Sequence, residues 1–135
     1  MRLECERGFL ELERSGLGEP ATPSDEDVLL NVTVQASSYS AADQIWMVKS
    51  DWDRFLGELR TLEKRRQGRA VLEGASPQDL RLEFFSTDSA GHMAVQGQVR
   101  RMTNERFDLQ LQFGFAFEPD ELPRLLRELE GFTQR

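Results

Sequence analysis

The chain has 135 residues, 39% of them hydrophobic and 30% charged, and carries a net charge of −7 at pH 7. That length suits a single domain over residues 1–135 with a core of its own; no apolar run approaches the ~20 residues of a membrane span, and the first residues lack the continuous apolar stretch of a signal peptide, so a cytoplasmic protein is expected. So acidic a surface repels phosphate backbones and argues against nucleic acid as a partner, and the single cysteine, Cys5, excludes an internal disulfide.

"RLECERGFLELER" (2–14) reads as a strand whose phase slips: Leu3 and Cys5 are odd, Leu10 and Leu12 even, with Gly8 between them where a bulge or tight turn absorbs the slip. "SGLGEPATPSDED" follows as an acidic, turn-rich loop. Residues 1–30 hold eight acids against three arginines, so most of the charge imbalance lies here. "VLLNVTVQA" (28–36) alternates, with Val28, Leu30, Val32 and Val34 inward. "SSYSAAD" reads as a second loop and "QIWMVK" (44–49) as a short strand.

Ser50 is an N-cap candidate, with Asp53 at the capping-box position and Asp51 favouring the positive end of a helix. Trp52, Phe55, Leu56, Leu59 and Leu62 recur at helical spacing, and Gly68 is placed to stop the helix. Strands are expected at "RAVLE", "LRLEFFS", "HMAVQGQVRR" and "FDLQLQFGFAF". A second helix covers about 121–130, with Asp120 as N-cap, Pro123 in its first turn and Gly131 ending it.

The last strand alternates without a slip. Phe107, Leu109, Leu111, Phe113, Phe115 and Phe117 fall on one side, which is expected to face a core. Pairing the last two strands about "MTNE", with Gln98 opposite Gln110, keeps apolar partners on one face and sets Arg100 opposite Asp108 on the other. Gly97 falls on the inner face, where a helix is expected to approach closely. The expected architecture is α+β: a twisted antiparallel sheet of about six or seven strands with two helices packed on one face, in the order β-β-β-α-β-β-β-β-α and without a repeat.

No reaction is named by the residues. His92 is the only histidine, no nucleophile elbow surrounds a serine, and "SGLGEP" lacks the lysine and following helix of a phosphate loop. No catalytic, cofactor or metal residue is therefore assigned. Trp46 and Trp52 lie among apolar neighbours and are expected in the core. Two surfaces remain as candidate partner-binding sites: the acidic Asp25, Glu26 and Asp27, suited to steering a basic protein, and the polar sheet face of Gln96, Gln98, Gln110 and Gln112, whose amides both donate and accept. Two other readings stay open. One is a hydrolase using Asp25, Asp27, Asp51 or Asp53, with Mg²⁺ or Ca²⁺; the other is a small-ligand carrier with a cavity between sheet and helices.

The block "DWDRFLGELRTLE…GRAVLE", the strand "GHMAVQGQV" and the final Phe-rich strand with its helix resemble the WapI-like family of small bacterial proteins, whose namesake is an immunity protein against a wall-associated nuclease toxin. The resemblance covers nearly the whole chain and is carried by fold-determining residues. It implies a non-enzymatic protein that neutralises a basic toxin domain, and it transfers no individual binding residue.

Overall fold

The computed structural model describes residues 1–15, 27–76 and 78–133. Alternating apolar residues make eight strands: β1 (Arg2–Cys5), β2 (Gly8–Arg14), β3 (Val28–Ala36), β4 (Tyr39–Met47), β5 (Arg69–Glu73), β6 (Leu80–Ser86), β7 (Met93–Met102) and β8 (Asp108–Phe117). Helix α1 (Lys49–Arg65) stands between β4 and β5, and α2 (Leu122–Glu130) follows β8 after a single 3₁₀ turn, Pro119–Glu121. The strands form two four-stranded antiparallel sheets, β1-β2-β3-β4 and β5-β6-β7-β8, each in chain order. The α+β class holds, but the expected single sheet of six or seven strands is two sheets of four.

The sheets part where α1 joins β4 to β5, which do not pair, and two local features change the number and length of the strands. The phase slip at Gly8 is a hairpin: Leu3 pairs with Leu10 and Cys5 with Gly8, so Glu6 and Arg7 form the turn and one expected strand is two. Gly8 is required there, because a Cβ would lie 1.8 Å from the Gln35 carbonyl oxygen of β3. The expected loop "SSYSAAD" is mostly strand. Ala36 pairs with Tyr39, leaving only Ser37 and Ser38 as the turn, with Ser37 at φ 58°. The inward positions of β4 begin with Ala41 and Asp43, so its first half carries no apolar signal to read.

Each half of the chain is thus a four-strand meander followed by a helix, although no sequence repeat accompanies it. Both helices and the inner faces of both sheets feed one core. Leu10, Leu30 and Val34 come from the first sheet, Leu72, Leu82, Phe84 and Val95 from the second, and Trp52, Phe55, Leu59, Leu125 and Leu129 from the helices. Phe84 sits between Phe55 (centroids 5.8 Å apart) and Phe117 (6.1 Å, edge-on), and Trp52 stacks on Phe132 at 5.8 Å. Arg60 and Glu130 pair α1 with α2 at 3.2 Å. Trp46, expected in the core, is 41% exposed, because it is on the outward phase of β4.

The helix starts also differ. Helix α1 begins one residue before Ser50, and Val48 is its N-cap with no side-chain cap. The Lys49 N–H donates instead to the Asp27 carboxylate at 3.0 Å, from 22 residues upstream. Arg66, at φ 58°, takes the left-handed position at the helix end, before Gly68. Asp120 lies inside the 3₁₀ turn rather than capping α2, whose first turn holds Pro123 as expected.

Candidate functional site

Sheet β5–β8 turns a polar face to solvent, and the glutamines gather on it. The β7–β8 register is two residues from the expected one: Gln98 faces Gln112, Val99 faces Leu111 and Val95 faces Phe115. A shift of two keeps every side chain on its face, so the inner and outer sides are as expected while the partners are not. Gln98 Oε1 accepts from Nε2 of both Gln110 and Gln112 at 3.1 Å. Arg100 now faces Gln110, yet reaches Asp108 diagonally, with Nε donating to Oδ1 at 2.7 Å. Gln96 Nε2 donates to Glu83 Oε2 at 3.0 Å. That bond is the main cause holding the Glu83 carboxyl below its usual range; burial opposes it, and Arg81 and Arg69 assist. Arg81, Gln96, Gln98, Gln112 and Gly114 line a shallow depression of about 590 Å³ on this face.

The apolar side of β8 is the larger surprise. Phe117 is buried, but Leu111, Phe113 and Phe115 are half-buried, and Phe107 and Leu109 are 64% and 57% exposed. The side expected to face a core does so from Leu111 to Phe117, with Leu111, Phe113 and Phe115 packed against the core at its margin, while Phe107 and Leu109 lie beyond it. The Phe113 and Phe115 ring centroids lie 6.4 Å apart, with the planes inclined at 30°. Beside them opens a groove of about 480 Å³, walled on the far side by the stacked turns of the first sheet. Those turns, Glu6–Arg7 and Ser37–Ser38, are tied by a hydrogen bond from the Ser37 N–H to the Arg7 carbonyl at 2.9 Å, and Tyr39 stands over the groove 68% exposed. Glu4, Glu6 and Glu118 line the adjoining hollow toward the C-terminal end of β8.

The acidic trio is not gathered as a site in the described residues. Asp25 and Glu26 lie outside them, and Asp27 is committed to the start of α1. Of the acids considered for hydrolysis, Asp51 pairs with Arg54 at 3.4 Å and Asp53 with Lys49 at 2.7 Å, both within the first turns of α1. Among the described residues, no group of three or more His, Cys, Asp or Glu is placed to hold a metal ion. His92 is engaged locally: its Nδ1 is 2.6 Å from Asp88 Oδ2, while Asp88 Oδ1 accepts from the backbone N–H groups of Ala90 and His92. The hydrogen bond to Asp88, with its charge, raises the His92 pKa above its ordinary value. No helix among the described residues is long and apolar enough to cross a membrane.

Sequence reasoning found the glutamine face and missed the groove. Period-2 alternation marks a strand's apolar side but does not say how far the core extends beneath it. The one available signal was the unbroken run from Phe107 to Phe117, longer by four residues than the seven of β6 (Leu80–Ser86), the strand on the far side of β7.

The family model described as the immunity protein WapI-like family matches residues 3–135. No curated protein and no solved structure matches the chain.

Proposed function

The chain belongs to the WapI-like immunity protein family, and from that membership and its acidic surface we propose that it is a non-enzymatic binding protein that neutralises a basic, nuclease-type toxin domain by covering it. The single observation that carries the reading is the family match over nearly the whole chain. A net charge of −7 supports the basic character of the partner, since complementary charge speeds encounter and weakens with salt. The acids at Asp25, Glu26 and Asp27 supply steering, and the rigid sheet bearing Gln96, Gln98, Gln110 and Gln112 supplies packed contact at little ordering cost.

The test is to look for a toxin domain encoded beside this gene and to co-express the chain with it. A stable one-to-one complex in which toxin activity is lost is the expected result. A complex that forms without loss of activity, or no complex with any neighbouring product, rejects neutralisation. Asp25→Asn with Glu26→Gln should slow association and flatten its salt dependence in surface plasmon resonance, leaving dissociation unchanged. Asp27 is excluded from that variant because its carboxylate holds the α1 start.

A further inference from the structure

Two four-stranded sheets have four edges, and an open edge is a template for pairing with another chain. The backbones of three edge strands are hydrogen-bonded by neighbouring elements. Arg124 of α2 donates to the Arg2 carbonyl of β1 at 2.9 Å, Ala75 N–H donates to the Trp46 carbonyl of β4 at 2.8 Å, and Glu58 of α1 accepts from the Val71 N–H of β5 at 3.0 Å. Helix α1 also lies along β5. The fourth edge, β8, is different: β1 and β4 of the first sheet approach it, yet among the described residues no group outside β7 hydrogen-bonds the backbone of Asp108–Phe117. Nor does β8 carry the usual protections, for it has no lysine, no proline and a single charge, Asp108 at its start.

The groove lies on this edge. Six consecutive residues of β8, Leu111 to Ala116, line it. Successive side chains of a strand point to opposite faces, so a hollow lined by all six opens on the edge of the strand rather than over one face. Its walls are apolar (Phe113, Phe115, Tyr39), and Arg7 is the one cation among its lining residues. The neighbouring hollow adds Glu4, Glu6 and Glu118. Glu4 is paired with Arg2 at 3.0 Å, whereas Glu6 and Glu118 make no ion pair among the described residues.

We propose that the edge of β8 accepts an extended, basic segment of the partner protein as a fifth strand of sheet β5–β8. This deepens the binding function above and rests on it. In strand addition, main-chain hydrogen bonds give affinity, and hollows for alternate side chains give specificity. Inward side chains of the added strand enter the groove beside Leu111, Phe113, Phe115 and Tyr39. Outward ones continue the polar face next to Gln110 and Gln112, and lysines or arginines meet Glu6 and Glu118. The groove and the glutamine face are then two sides of one docking strand. A second copy of this chain is a poorer occupant, because each copy carries −7 and pairing two β8 edges brings like-charged surfaces together.

The probe is a synthetic nine-residue peptide alternating valine and lysine, with two controls: glutamate in place of lysine, and methyl groups on alternate backbone nitrogens. Hydrogen exchange of the full chain, read residue by residue, should show that the lysine peptide slows alternate amides between Asp108 and Ala116. The N-methylated peptide should show no such protection, and the glutamate peptide should bind about tenfold more weakly. Glu6→Lys with Glu118→Lys should reverse that preference, and both positions are exposed, so folding is kept. Protection confined to Gln96 and Gln98, equal binding of the N-methylated peptide, or no protection at millimolar peptide overturns the inference. Protection of β8 that grows with protein concentration alone assigns the edge to a second copy and also overturns it. A toxin complex that survives Glu6→Lys, Glu118→Lys and Tyr39→Ala leaves neutralisation standing and removes only this site; peptide pairing without toxin neutralisation does the converse.

Discussion

Two glycines on neighbouring strands test the architecture of sheet β5–β8 with one atom each. Gly97 of β7 faces inward, where a Cβ would lie 2.6 Å from Leu82 Cδ2, 2.7 Å from the Arg81 carbonyl oxygen and 3.1 Å from Phe113 Cζ. The crowding comes from strand β6 and the Phe113 ring, not from the helix expected on sequence grounds. A leucine methyl can rotate away, but the Arg81 carbonyl belongs to the β6 backbone, so β7 itself must shift. Such overpacking costs about 1–3 kcal/mol, against about 0.4–1 kcal/mol gained by restricting the unfolded chain. Gly114 of β8 faces outward, where a Cβ meets Gln96 Cβ and the Val95 carbonyl at 3.5 Å, ordinary contact. Gly114→Ala therefore keeps only the gain.

The expected outcome is opposite signs: Gly97→Ala destabilises by about 1–2 kcal/mol and Gly114→Ala stabilises by about 0.4–1 kcal/mol. Urea unfolding with unchanged m-values measures both, and at this chain length the gap corresponds to a Tm separation of roughly 5–10 °C. Equal shifts would refute the reasoning. In the register expected from sequence, Gln98 opposite Gln110, Gly97 would face Leu111 instead of Phe113, and the observed register would then be wrong.

Replacing Phe84, fully buried between Phe55 and Phe117, by alanine should cost about 3–5 kcal/mol, whereas Phe107→Ala, on the exposed stretch before β8, should stay within about 0.5 kcal/mol in the same unfolding assay. Asp27→Ala should lower stability by about 1 kcal/mol by removing the acceptor at the α1 start, while Ser50→Ala should change it by less than about 0.5 kcal/mol. The single histidine gives a clean NMR titration: His92 should titrate above 6.5, and Asp88→Asn should bring it back toward that value. By linkage, a raised His92 pKa contributes stability that is complete below about pH 6.5 and is lost as pH rises through the folded-state pKa; the lowered Asp88 pKa contributes above about pH 3.8 and is lost as pH falls through its own. The clamp on this loop is thus complete between those limits, and amide exchange of Ala90 should be slowest there.

What could be read from sequence divides along the range of each interaction. Val28, Leu30, Val32 and Val34 alternate strictly, and all four are buried. Trp52, Phe55, Leu56, Leu59 and Leu62 repeat at helical spacing, and all five are buried. These signals are local, since each residue's neighbours in the chain fix its face. The cap of α1 is not local. Ser50 had the right chemistry beside the helix, but the pairing of Val28 with Met47 brings Asp27, at the start of β3, to the same place, and a carboxylate on the Lys49 N–H leaves Ser50 to lie within the first turn. The first half of strand β4 was missed for the opposite reason. Its pairing with β3 forms it, from Ala36–Tyr39 through Val28–Met47, while its own first residues are small or polar.

The candidate site shows the same division more sharply. The Gln residues were legible because the alternation that buries Val95 and Val99 necessarily turns Gln96 and Gln98 outward. The groove was not, since it depends on which strands end the sheets and on what covers them, and nothing in a single strand's pattern reveals that. An apolar alternation has two physical outcomes: the inner face of a paired strand, or one face of an edge strand awaiting a partner. Burial cannot separate them in sequence, but the neighbours can in structure. Here Arg124, Ala75 and Glu58 each take up a backbone group on one of the other three edges, whereas β1 and β4 approach β8 without a hydrogen bond to its backbone among the described residues. An edge of this composition with unpaired backbone groups is an aggregation hazard unless something keeps copies of the chain apart. The charge of −7 does so at the same time as it attracts a basic partner. The acidity that argued against nucleic acid as a partner and the apolar run that was expected to face a core are, on this reading, complementary features of one binding site.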